Sequence, residues 1–190
     1  MTGSNHSHFQ KSSDETVLVM DLQPRLLSTI PNSSILIQNC SIFIQSVARL
    51  ELPVIVTEQV PQKLGSTVPE MMIGRGSFRI ISKDSFSAFG ATDFCQIIKS
   101  SKSKKLTILG IETSICIFWT AMDAIRENIE VTVISDCVGC RIQVDGSTCL
   151  DQLKDNGTKI IPLETYLFGK LESSAHPHFK EISQLIKSRA

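Results

Sequence analysis

Leu106-Thr107-Ile108-Leu109-Gly110-Ile111-Glu112-Thr113-Ser114-Ile115-Cys116 is an apolar, strand-like run that opens through a short glycine-led turn onto a thiol. Two other runs break off in the same way: Val17-Leu18-Val19-Met20 stops at Asp21, and Phe78-Arg79-Ile80-Ile81 leads into Lys83. In open α/β sheets, ligands bind outside the carboxyl ends of the strands, so reactive residues placed there converge on one crevice. An acid, an amine and a thiol meeting in this way point to a nucleophilic-cysteine enzyme.

Working outward from these three runs, six strands are expected, at 17–21, 54–57, 78–81, 106–110, 131–135 and 159–162. Most are continuously apolar rather than alternating, as befits strands buried on both faces. Helical spacing is expected at 34–50, 92–99, 115–128, 144–156 and 179–187, with Asn32 and Ser33 as cap candidates for the first and Gly157 at a helix end. Strands alternating with helices predict a parallel sheet covered on both faces. The stretch 58–76, with Pro61, Gly65, Pro69, Gly74 and Gly76, reads as an irregular loop of a length that usually carries function.

At 190 residues with 42% hydrophobic content, the chain fits one domain, expected over 16–190, after a polar, disordered tail at 1–15 that has the character of neither a secretory signal nor a mitochondrial presequence. Nineteen basic residues balance nineteen acidic ones, which argues against nucleic acid and anionic membrane surfaces as partners. No apolar run reaches the roughly 18 residues that a membrane span needs. The six cysteines sit in or beside apolar elements rather than in a disulfide framework, so reduced thiols in a cytoplasmic protein are expected.

Cys116 near a helix start would have unpaired N–H groups and the helix dipole to favour its thiolate, and the same groups could bind an oxyanion. Taken alone it reads more simply as a small buried hydrophobe. Asp21 at the end of a buried strand is expensive to desolvate unless something uses it. Lys83 would hold the thiolate and later the developing charge. Phe86, Phe89 and Trp119 are core or pocket-wall candidates by their closeness in sequence to Lys83 and Cys116.

The segments Val17-Leu18-Val19-Met20-Asp21-Leu22-Gln23, Lys83-Asp84-Ser85-Phe86-Ser87-Ala88-Phe89 and Gly110 to Cys116, with Thr120-Ala121-Met122-Asp123-Ala124, resemble the isochorismatase-like cysteine hydrolase superfamily. Thr57-Glu58-Gln59-Val60-Pro61, Leu64 to Glu70 and Ala175-His176-Pro177 are most similar to its eukaryotic isochorismatase domain-containing members. The resemblance implies a Rossmann-like three-layer α/β/α fold with a six-stranded, mainly parallel sheet of order 3-2-1-4-5-6. It further implies a triad of Asp21, Lys83 and Cys116, a cis peptide at Ile111-Glu112, and an oxyanion hole made by the amides of Glu112 and Cys116. Gln23, Phe86, Phe89 and Trp119 are the expected substrate pocket. The order 3-2-1-4-5-6 sets the first and fourth strands side by side, so that Asp21 and Cys116 would face each other at the switch point.

Nicotinamidases of the superfamily carry a histidine zinc site in the loop after the second strand. Here that loop reads Glu58-Gln59-Val60-Pro61, with no histidine between His8 and His176, so no metal and no cofactor are expected. True isochorismatases commonly lack the cysteine, so Cys116 points instead to acyl transfer at a C–N bond of a small-molecule substrate. Apolar residues on more than one face of the 34–50 and 115–128 helices predict a homo-oligomer. Rival readings are a catalytically quiet interaction module on the same fold, and a thiol redox protein acting through Cys137 and Cys140, which are expected in the loop after the fifth strand. His6, His8, His176 and His178 are expected as loose surface histidines.

Overall fold

The computed structural model describes residues 14–72 and 78–189; the expected tail up to residue 13, with His6 and His8, and the glycines at 74 and 76 lie outside the described residues. Six parallel strands form one sheet in the order β3-β2-β1-β4-β5-β6. They are β1 (Glu15–Met20), β2 (Val54–Gln59), β3 (Phe78–Lys83), β4 (Lys105–Ile111), β5 (Glu130–Gly139) and β6 (Lys159–Ile161). The helices are α1 (Pro24–Leu27), α2 (Ser33–Arg49), α3 (Pro61–Leu64), α4 (Thr92–Ser101), α5 (Phe118–Arg126), α6 (Gln143–Asp155), α7 (Leu163–Leu171) and α8 (Phe179–Lys187).

Alternate residues of β1 belong to opposite cores, which is why its sequence reads as an unbroken apolar run. Val17 and Val19 pack with α2, α7 and α8 through Phe43, Val47, Tyr166, Leu167 and Ile182. Leu18 and Met20 pack on the other face with Phe94, Ile97, Ile98, Ala121 and Ala124 of α4 and α5.

Gly110 makes the closest approach at the centre of the sheet. It pairs with Met20, and a β-carbon on it would lie 2.1 Å from the Met20 carbonyl oxygen. Its φ of +117° is also one that side-chain-bearing residues rarely adopt. This glycine lets β4 close on β1 at the switch point, and one residue further along the chain the Ile111-Glu112 peptide is cis.

The structure departs from the sequence reading in several places, among them the short helices α1 and α3, the second of which lies inside the stretch read as irregular loop. β1 begins at Glu15, two residues early, because its buried carboxylate is drawn to Thr107 (2.6 Å), Tyr166 (2.5 Å) and Lys170 at the amino end of the sheet. β5 continues through Asp136 and Cys137 to Gly139, although aspartate and glycine are poor strand formers. α7 was not expected, and it covers part of the second apolar face of α2 from within the same chain. Asn32 occupies the N-cap of α2 in the left-handed region without a side-chain cap bond. Gly157, with φ +88°, does close the end of α6.

Candidate active site

β1 stops at Met20 because Asp21 turns into the left-handed region, φ +55°, which aspartate tolerates better than most residues. Its N–H still bonds the Thr57 carbonyl of β2 (3.1 Å), so the turn stays anchored to the sheet. The carboxylate is fully buried and held on both oxygens: Thr57 Oγ1 donates to Oδ1 and Lys83 Nζ to Oδ2, each at 2.7 Å.

Lys83 comes from the last position of β3 and reaches across β2. Around its ammonium lie Asp21 Oδ2, Gln59 Oε1 (2.6 Å), the carbonyls of Ser85 and Phe86 (each 3.2 Å) and Cys116 Sγ (3.7 Å). A buried ion pair survives only when its remaining polar atoms are also bonded, and Thr57, Gln59 and the two carbonyls do this here.

Cys116 sits in a π-helical turn, Thr113–Ile117, that joins the cis peptide to α5. Such turns often mark functional sites. The expectation of a readily ionised thiol is reversed: the Cys116 pKa is pushed up to about 12, first by burial and then by the negative charge of Asp21. Lys83 and a backbone hydrogen bond from Glu112 pull the other way without prevailing. The resting group is therefore a protonated thiol with the Asp21 side chain close by.

The expected pocket residues divide. Phe86 (60% exposed) and Trp119 (47% exposed) stand open to solvent near Lys83 and Cys116 in sequence, Trp119 edge-on to Phe118. Phe89 turns its ring edge-on to buried Phe94 and borders a different cleft, with Cys95 and Ile129. Gln23 is fully buried, its amide donating to the Gln59 and Gly65 carbonyls and accepting from the Gln59 N–H (2.7 Å). Through these bonds it braces the loop after β2. Glu58 does the same by accepting from the Thr67 N–H (2.7 Å), which ties the chain at Thr67 back to the end of β2.

Cys137 lies within β5, not in a loop after it, and receives the Cys40 thiol on its carbonyl; Cys140 donates instead to Ile142. His176 accepts through Nδ1 from the His178 N–H at the start of α8. Among the described residues no group of three His, Cys, Asp or Glu side chains gathers as a metal centre. Likewise no helix among them is long and apolar enough to cross a membrane.

Thr57 and Gln59 were missed as members of the site. The signal was present, since both stand at the carboxyl end of β2, the rule that singled out Asp21 and Lys83.

The isochorismatase domain model matches residues 15–165 of the chain. Isochorismatase domain-containing protein 2 of Danio rerio is 31% identical over 170 residues, covering 90% of this chain and 85% of the relative. The solved structure described as MAR1 ribonuclease from Caenorhabditis elegans superposes with a TM-score of 0.86 at 29% identity, covering 93% of this chain and 91% of that one. The YcaC gene product of Escherichia coli, described as an octameric hydrolase of unknown specificity, shares the fold, with a TM-score of 0.72 at 21% identity over 92% of this chain and 93% of that one.

Proposed function

This chain belongs to the isochorismatase family, and from that membership we propose that it is a hydrolase cleaving a non-peptide C–N bond in a small amide-like or carbamoyl compound, with Cys116 as nucleophile. The observation that carries the reading is the convergence of three strand ends on one buried cluster, with Lys83 Nζ 2.7 Å from Asp21 and 3.7 Å from the Cys116 sulfur.

As the sulfur attacks the carbonyl carbon, Asp21 takes its proton. This removes the need for a standing thiolate, which a pKa of about 12 makes scarce at neutral pH. The oxyanion that forms is held by the amides of Glu112 and Cys116. Collapse expels the amine, which leaves with the proton from Asp21, and a thioester remains on Cys116. Water then attacks the thioester with Asp21 as base, and the acid and free thiol are released. Lys83 holds the Asp21 side chain in place through its hydrogen bond to Oδ2 while the proton comes and goes.

Six cysteines without disulfide partners suit a reducing, cytoplasmic setting. Exposed Ile35, Ile142 and Val144 support self-association.

The test is a screen of small amides, ureas and carbamoyl compounds with wild type and Cys116→Ala, reading amine release and an acyl adduct on Cys116 by mass spectrometry. Turnover that survives Cys116→Ala would refute the nucleophile. The ribonuclease description of the nematode structure is the competing reading. The equal counts of basic and acidic residues and the internal pairing of Lys83 speak against it. RNA cleavage that survives Cys116→Ala would favour it.

A further inference from the structure

The extension of β5 beyond its predicted end has a consequence for the oxyanion hole. Ile108 of β4 pairs with Val133, but Gly110 pairs with Val138 and Ile111 with Gly139, so β5 takes up extra residues at this point. That shift in register brings Arg141 beside Glu112.

The Glu112 carboxylate is gripped twice by this one residue. The Arg141 backbone N–H donates to Oε2 at 3.1 Å, and the guanidinium Nε lies 3.0 Å from Oε2 and 2.9 Å from Oε1. On its main-chain side, the Glu112 carbonyl accepts from the N–H groups of Ile115 (3.1 Å) and Ile117 (3.2 Å). The Glu112 backbone also makes the hydrogen bond that favours the Cys116 thiolate. An ion pair whose arginine side chain is 55% exposed contributes little to stability. What it does supply is a fixed orientation for the residue whose amide faces the sulfur.

We infer that Arg141 is a positioning residue for the oxyanion-binding amide of Glu112. The inference rests on the acyl-transfer reading of Cys116. Removing an oxyanion donor costs about 10²- to 10³-fold in rate. A donor left in place but misaligned costs less, about 10- to 100-fold.

Two probes separate this role from others. p-Nitrophenyl acetate acylates a thiol through an oxyanion: the S–C bond forms, the C–O bond breaks and p-nitrophenolate leaves. Iodoacetamide alkylates the same sulfur by displacing iodide, with no oxyanion. Both are uncharged, so a role for Arg141 in holding a charged substrate would affect neither. Rates are followed at Cys116 by peptide mapping, with Cys116→Ala as the blank.

Arg141→Ala should slow acylation about 10- to 100-fold while alkylation stays within about threefold. Glu112→Ala, which loses both contacts, should be slower still, and Arg141→Lys should recover part of the loss. Unchanged acylation in Arg141→Ala, or an equal fall with both probes, overturns the inference. Failure of wild-type Cys116 to be acylated at all removes the acyl-transfer reading, and this inference with it.

Discussion

Lys83 and Asp21 form an ion pair at 2.7 Å in which neither side chain is exposed to solvent. Two opposite charges placed there attract strongly, but each has lost its hydration, so their value shows when one is removed. Lys83→Met should destabilise the fold by about 3–5 kcal/mol, because it strands a buried carboxylate. Urea denaturation at neutral pH measures it, and a loss below about 1 kcal/mol would mean that the Asp21 carboxylate finds solvent or another partner.

The raised pKa of Cys116 has a signature in stability at alkaline pH. A folded-state pKa of about 12, well above the roughly 8.5 of a solvated cysteine, means that the unfolded chain releases this proton first as pH rises. The stability it contributes is complete below about pH 8.5 and is lost as pH climbs toward 12, at a slope of up to about 1.4 kcal/mol per pH unit. Tyr166 and Cys137 are raised in the same direction by burial, so the difference between variants is the informative quantity. Between pH 8.5 and 11, wild type should lose more stability than Cys116→Ala. Parallel curves would show that the thiol is better solvated than its surroundings imply.

Two glycines with positive φ predict different costs. Gly157→Ala places a β-carbon in open space, so only the left-handed backbone is penalised, by about 1 kcal/mol. Gly110→Ala adds a collision with the Met20 main chain, so about 3 kcal/mol or more is expected, with separation of β1 from β4 beside the site. Thermal unfolding of the two variants compares them directly, and equal shifts would contradict the packing at the switch point.

The sheet was legible because a strand buried on two faces has to be apolar throughout, and because parallel strands force the chain through helical crossovers. Strand order came from the family resemblance, and the switch point between β1 and β4 follows from that order. What escaped the sequence was set by contacts distant in the chain. α7 depends on packing Tyr166 and Leu167 against α2 and on the Asp136 carboxylate accepting the Leu163 N–H (2.8 Å). β5 outruns its own strand propensity because β4 pairs with it at Val138 and Gly139. At the site, local reasoning placed Asp21, Lys83 and Cys116 at strand ends but misjudged the state of the thiol. A helix start and a lysine argue for ionisation, while burial and a neighbouring carboxylate argue more strongly against it, and only the three-dimensional arrangement weighs the two.

The central claim is that Asp21 and Lys83 act on the Cys116 sulfur from opposite sides of its ionisation. The most direct test is the rate of Cys116 alkylation as a function of pH in wild type, Asp21→Asn and Lys83→Met, read by peptide mapping. Asp21→Asn removes a charge that raises the thiol pKa, so its profile should move to lower pH, while turnover of any substrate falls about 10²- to 10⁴-fold for loss of the base. Lys83→Met removes a charge that lowers it, so its profile should move to higher pH. Opposite displacements are the predicted result, and a Cys116 profile that neither substitution moves would contradict the account.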